Sequence, residues 1–179
     1  ATNDNTFRSV VTSWENVDGV LDYYINGNES GGSYRNITGF KIGQSIQSGG
    51  TLAIGNDQDL LNAGYDPLDA FAGDIAEIIV YDRKLNAMQV RIVNNYIAAK
   101  YNLTLSNINY VGSTTPNGDY DYKVIGVGRL NGVTHNEANS AGFILTGNTY
   151  TTANTFAFAG HNNLPNSAVA TNLGSGVQQ

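Results

Sequence analysis

Short runs of apolar residues, broken by Gly, Asn and Asp, set the pattern of the first eighty positions. Residues 7–14 (FRSVVTSW) and 20–26 (VLDYYIN) read as two strands. The turn between them carries Asp18-Gly19, a pair that suits the positive φ angles of a tight hairpin, and Asn26-Gly27 closes the second strand. A Gly/Ser-rich loop follows, then β-like stretches at 34–43 and 51–55 and a loop over 56–70 dense in Asp, Asn and Gly. Residues 71–82 (FAGDIAEIIVYD) give the strongest strand signal. Ile75, Ile79 and Tyr81 alternate with Ala76, Ile78 and Val80, so the strand is apolar on both faces, as in the middle of a packed sandwich.

The period then changes. From Asn86 to Tyr101, Val90, Val93 and Ile97 recur at helical spacing with Ile92 and Tyr96 beside them. Asn86 with Gln89 three positions on has the form of a capping box, and Asn102 can take the left-handed conformation that ends a helix. A packing role is expected for this helix, at about 86–101.

Residues 104–119 lose periodicity and collect Ser, Thr, Gly, Pro and Asn, which places a boundary there. The expected organisation is a β-sandwich portion over 1–105, a linker over 106–119, and a second β-rich segment over 120–167. A linker or frayed end is expected over 168–179. In the second segment 120–128, 142–146 and 155–159 read as strands, with turns at Asn131-Gly132 and Gly147-Asn148. The fold class expected is all-β with one helix.

Composition supports this reading. Only 13% of the 179 residues are charged, and 21 Gly and 11 Tyr sit among abundant Asn, Thr and Ser, which suits many strands joined by turns. The net charge is −6 and no block of Lys or Arg occurs, so nucleic-acid binding by counterion release has no footing, nor does a basic membrane-surface patch. No apolar run is long enough to insert in a membrane. The chain contains no cysteine, which excludes disulfides, thiolate metal sites and cysteine nucleophiles. No signal-peptide pattern opens it, so it reads as a mature form or an excised fragment.

Three segments resemble the concanavalin-A-like superfamily in its laminin-G and pentraxin branches. SWENVDGVLDYYINGNES is similar to the paired strands of those domains. TLAIGNDQDLLNAGYDPLDAFAGDIAEIIVYDRKL is similar to the pentraxin stretch in which an acidic loop precedes a strand, and it is the specific match. The helix RIVNNYIAAKYNL is similar to one that closes laminin-G-like modules in large bacterial surface proteins. The resemblance covers about 7–105 and implies a jelly-roll β-sandwich whose early strands lie outside this chain. A sandwich left half open exposes strand edges and core, so neighbouring domains or chains are expected to complete it.

The resemblance also implies a calcium site. Calcium takes six to eight oxygens at about 2.3–2.6 Å. Asp57, Gln58 and Asp59 occupy the positions that bind calcium in the pentraxin pattern, and a further ligand falls twelve positions after the first, at Asp69. Asp66 is a nearby spare. The competing explanation is that Asp and Asn merely populate loops, and that surplus carboxylates serve solubility.

Other chemistries fare worse. Glucan hydrolases of the superfamily need two carboxyl groups about 5 Å apart. The strand carboxylates Asp74 and Glu77 are three apart and fall on opposite strand faces, so they read as a strand-entry turn residue and a partner of Arg83 or Lys84. His135 and His161, distant in sequence, form neither a zinc set nor part of a serine triad, since no nucleophile elbow is present. GVGRLNG, at 126–132, lacks the spacing and following helix of a phosphate loop and reads as a turn. Trp14 and one of the adjacent Tyr23 and Tyr24 are expected to fill the core. The other tyrosine and Tyr34 are candidates for stacking on sugar rings. Asn28, Asn36 and Asn102 each head an Asn-x-Ser/Thr sequon, a number that an Asn- and Thr-rich chain also produces by chance.

These observations predict a non-catalytic, secreted or cell-surface module of a multidomain protein, engaged in adhesion or carbohydrate binding and stabilised by calcium. A structural spacer working through protein–protein contacts is the alternative.

Overall fold

The computed structural model describes residues 5–28, 34–46, 49, 51–60, 63–140, 143–147 and 152–162. Among the described residues, eight strands, one α-helix and two short 3-10 turns make up the regular structure, in line with the all-β expectation with one helix. Strands β1 (Val10–Trp14), β2 (Leu21–Ile25) and β3 (Tyr34–Ile37) form one antiparallel sheet in that order. A second sheet has the order β5-β4-β8, from β4 (Tyr122–Leu130), β5 (Val133–His135) and β8 (Thr155–His161). Between these in sequence, β6 (Glu137–Ser140) and β7 (Phe143–Thr146) pair as a ribbon. The helix α1 spans Ala87–Tyr101.

Local signals explain the turns and the helix ends. Val10 faces Ile25 and Trp14 faces Leu21 across the first hairpin, which Glu15 N closes onto Val20 O at 3.1 Å. Leu130 faces Val133, so Asn131-Gly132 alone links β4 to β5. Asn86 caps α1 through the reciprocal bonds of a capping box, at 2.9 and 3.0 Å, and Asn102 ends it at φ 50°.

The core lies between α1 and the β5-β4-β8 sheet. Met88, Ala99, Tyr110, Val124, Leu130 and Phe158 form its buried cluster, and the rings of Tyr110 and Phe158 meet at 6.2 Å. Gly126 makes the close approach possible, since a Cβ there would lie 2.6 Å from the Phe158 ring and 3.2 Å from Ile92. Tyr110, within the stretch expected as a linker, is 2% exposed and bonds the carbonyl of Tyr120 through its hydroxyl at 2.7 Å.

The buried face of α1 is more polar than its apolar stripe predicts. Val90 is buried, but Val93 and Ile97 are only half-buried, while Arg91, Asn94 and Asn95 are buried. The reason is long-range. Asn95 Oδ1 accepts from the backbone N–H of both Asn109 and Tyr110 at 2.8 Å, and its Nδ2 donates to Arg91 O at 2.8 Å. Arg91 donates to Asn109 Oδ1 at 2.9 Å and lies over the Phe156 ring at 5.6 Å. On the adjoining face, Asn94 meets the tip of the first sheet. A Cβ on Gly27 (φ 68°) would lie 3.3 Å from Asn94 Nδ2 and 2.8 Å from Ser106 O, so this turn tolerates only glycine.

The strand expected over 71–82 does not pair with any described strand. It carries no regular secondary structure and bends at Gly73, and Ile75, Ile78, Ile79, Val80 and Tyr81 are exposed, Val80 at 72%. A strand apolar on both faces needs neighbours that the described residues do not provide. Side chains of α1 hold it instead. Tyr96 donates to Glu77 Oε1 at 2.9 Å, and Tyr101 donates to Ala76 O at 3.3 Å. Lys100 Nζ donates to Tyr96 Oη at 2.8 Å and lies 3.2 Å from Glu77 Oε2, an ion pair outside hydrogen-bond geometry. It also sits 5.2 Å from the centre of each ring, Tyr96 and Tyr101. The bond to Tyr96 and the contacts with Glu77 and Tyr101 push Lys100 above the ordinary lysine range against a lowering by burial. Glu77 thus pairs with Lys100, not with Arg83 or Lys84, because the helix and not a neighbouring strand lies beside it. Lys84 pairs with the buried Asp22 at 2.9 Å.

Other stretches also differ from their patterns. Of 34–43 only Tyr34–Ile37 is strand, and 40–43 is turn. No strand forms in 51–55, where Gly55 O accepts from Phe71 N at 2.7 Å instead. Trp14 is half-buried at the hairpin end and donates to Phe40 O at 3.0 Å, so the core lies elsewhere. GVG, at 126–128, lies within β4 and is strand, not turn.

Two predictions follow from these contacts. Asn95→Ala leaves two backbone N–H groups unbonded inside the protein and should cost roughly 2–4 kcal/mol in urea unfolding. A loss under about 1 kcal/mol would mean that water replaces the carboxamide. Tyr96→Phe combined with Lys100→Ala should raise the rate of chymotryptic cleavage after Tyr81 by about threefold to tenfold, the effect of roughly 1 kcal/mol of lost anchoring. An unchanged rate would show that the segment is held by something other than this clasp.

Candidate functional site

The expected metal ligands lie on a loop whose ends are tied together. The 2.7 Å bond from Phe71 N to Gly55 O closes it at the base. Asp57 stands two residues after Gly55, and Asp69 two residues before Phe71. Two residues of extended chain reach at most about 7 Å, so both carboxylates start close to one closure point. Within the loop, Leu60 and Ala63 exchange backbone bonds at 3.3 and 3.0 Å, and Asp59 N donates to Gly64 O at 3.4 Å. A 3-10 turn over Pro67–Asp69 carries Asp69. Asp66, the spare ligand, is committed to capping that turn, its Oδ1 accepting from Leu68 N at 2.8 Å.

The donor chemistry is entirely oxygen and amide. No Lys, Arg or His occurs between Gly55 and Phe71, and four aspartates do. Asp57, Asp59 and Asp69 are exposed, and Gln58 is half-buried between the first two. Asp57 Oδ1 accepts from Gln58 N at 2.8 Å, which orients that carboxylate along the loop. Asn56 Oδ1 and Gln58 Nε2 are buried without a hydrogen-bond partner among the described residues. Asn56 is a donor that the sequence pattern did not single out. Its signal was its place directly before the Asp-Gln-Asp run. An unbonded buried carboxamide oxygen on an acidic loop is a group that a hard cation can satisfy. Among the described residues, no three His, Asp or Glu side chains converge as a metal site by themselves. The fit therefore depends on the amides of Asn56 and Gln58 as well as the carboxylates.

The aromatic candidates lie on a different element. Tyr23 and Tyr24 are successive residues of β2, project to opposite faces of its sheet and are both half-buried. Neither is the fully exposed platform or the core residue that the sequence predicts. Tyr34 faces Tyr24 in the backbone register, and its side chain lies outside the described residues.

The residues weighed for catalysis are scattered. Glu77 serves the clasp to α1, and Asp74 is exposed. His135 lies on β5 opposite Gly128, where burial lowers its pKa, and His161 lies at the end of β8 opposite Tyr122.

Comparison with known proteins gives the family. The Pentaxin family profile matches residues 2–111. The chain is 32% identical over 91 residues to "Sushi, von Willebrand factor type A, EGF and pentraxin domain-containing protein 1" of Mus musculus, covering 51% of this chain and 2% of that protein. It is 34% identical over 88 residues to neuronal pentraxin-1 of Homo sapiens, covering 49% of this chain and 19% of that protein. With serum amyloid P-component of Rattus norvegicus the identity is 26% over 83 residues, 46% of this chain and 34% of that protein. The matched stretch is thus a minor part of each relative. These relatives are animal proteins, so they support the pentraxin side of the resemblance and not a bacterial origin. No solved structure gives a significant match. The profile covers more than half of the chain, which therefore belongs to the Pentaxin family, a concanavalin-A-like jelly-roll family of non-enzymatic binding proteins.

Proposed function

We propose that the chain is a calcium-stabilised adhesion or carbohydrate-binding module of an extracellular multidomain protein. The closed base of the 55–71 loop is the observation that carries this reading, because it starts Asp57 and Asp69 from one point. Asp57, Asp59 and Asp69 supply carboxylates, Gln58 an amide, and Asn56 an unbonded buried oxygen. Calcium, when bound, supplies charge neutralisation and free coordination positions for a ligand oxygen. The protein's part is to hold the donors. The Gly55–Phe71 bond and the capped 3-10 turn restrict the loop, and the acidic surroundings raise the local concentration of cations. Glycan hydroxyls and polypeptide carboxylates are both oxygen ligands of the kind such a site takes. Tyr23, Tyr24 and Tyr34 remain candidates for stacking on a sugar ring. An extracellular place accords with the relatives neuronal pentraxin-1 and serum amyloid P-component. Among the described residues, no helix is long and apolar enough to cross a membrane.

One observation favours a second reading, a structural module that works through protein–protein contacts. Ile75, Ile78, Ile79, Val80 and Tyr81 are exposed along one stretch, and its backbone pairs with no strand among the described residues. Such a stretch can be completed by a neighbouring domain or chain.

Thermal melts across a calcium titration, with EDTA and magnesium as controls, test the calcium site. Native-state binding at a hundredfold excess over Kd should stabilise by about 2.7 kcal/mol, and Asp57→Ala or Asp69→Ala should abolish the rise. A melting temperature indifferent to calcium would remove the metal from the reading. Light scattering tests the second reading. Concentration-dependent association lost in Val80→Lys supports strand completion between chains, and a monomer at every concentration counts against it.

A further inference from the structure

The three sequons are not equivalent in the folded chain. Asn36 lies on β3, and its Nδ2 donates to Asp22 Oδ1 at 2.7 Å. Asp22 is 5% exposed and carries the ion pair with Lys84, so a sugar on Asn36 would disturb a buried charge and its partners. Asn28 heads a sequon whose second and third residues lie outside the described residues. Asn102 differs from both. It caps α1 in the left-handed conformation, at φ 50° and ψ 46°, and its backbone N–H points back to Ala98 O and Ala99 O. The side chain is exposed, and among the described residues none bonds its carboxamide. Leu103 N donates to Ala98 O at 3.0 Å, so the chain turns at the helix end, and Thr104, the third sequon residue, is exposed. The backbone is satisfied without the side chain, and the core residues Ala98 and Ala99 lie on the inner face.

We propose that Asn102 is an acceptor for N-linked glycan, taking its oligosaccharide from a lipid-pyrophosphate donor. Asn102 Nδ2 forms a bond to C1 of the donor's reducing-end sugar. The C1–O bond breaks, its electron pair leaves with the lipid pyrophosphate, and Nδ2 gives up one proton. The glycan then projects from the C-terminal end of α1 into solvent. Surface turns are the usual setting for this modification in exported proteins, and the inference rests on the extracellular reading above.

The experiment gives the chain a secretory signal peptide in animal cells, so that glycosylation is read whether or not the native protein is exported. An Asn28→Gln background removes the first sequon. Intact mass before and after peptide-N-glycosidase should show one glycan, lost in Asn102→Gln and in Thr104→Ala, retained in Thr104→Ser and unaffected by Asn36→Gln. Translation into microsomes reads the same variants on the translocated chain if secretion is poor. Unmodified Asn102 in translocated chain, or a glycan confined to Asn36, would overturn the proposal. Localisation of the untagged native protein tests the extracellular reading separately.

Discussion

A single buried carboxamide holds the helix to the chain that follows it. Asn95 is fully buried and makes three bonds, two of them to consecutive backbone N–H groups. Buried backbone donors without partners are costly, so the course of residues 109–110 depends on this side chain. Tyr110 can then turn its ring into the core, where it meets Phe158 and bonds the carbonyl of Tyr120. Through that sequence of contacts α1, which lies in the part matched to the family, shares one hydrophobic cluster with β4 and β8 beyond it. The polar inner face of the helix thus fixes the 109–110 turn, while Met88 and Ala99 supply its share of the apolar cluster.

The outer side of α1 organises a different region. Tyr96, Lys100 and Tyr101 hold the 71–82 stretch by its polar groups and leave its apolar side chains exposed. That stretch leads back to Phe71, whose N–H closes the acidic loop onto Gly55. The loop, the stretch and the helix thus form one mechanical series. The position of Asp69 depends on residues that have no affinity for a cation.

Local chemistry was legible in the sequence. Asn86 and Gln89 define one end of α1 and Asn102 the other through bonds spanning a few residues, and the Asn131-Gly132 turn is equally self-contained. The features that escaped depend on distant partners. Arg91, Asn94 and Asn95 look like a solvated face until residues 109–110 and Gly27 are brought beside them. Alternation in 71–82 records that both faces are apolar, but it does not place a strand alongside. Of the candidate site, Asp57, Gln58, Asp59 and Asp69 came from resemblance to a family pattern, whereas Asn56 emerged only from its buried oxygen. The capping duty of Asp66 was equally invisible, since a carboxylate's composition does not show which N–H it serves.

The Asn95 bonds also bear on how the chain finds its structure. They join positions only 14 and 15 residues apart, and the entropy of closing a loop grows slowly with its length. The first hairpin is similarly short-range, whereas Tyr122 and His161 must meet across 39 positions. Contacts of low sequence separation form early because little chain freedom is lost in making them. The helix with its attached 109–110 turn is thus the natural nucleus of the C-terminal core. The β4–β8 pairing, which would be slow to search for alone, then closes on a surface already in place.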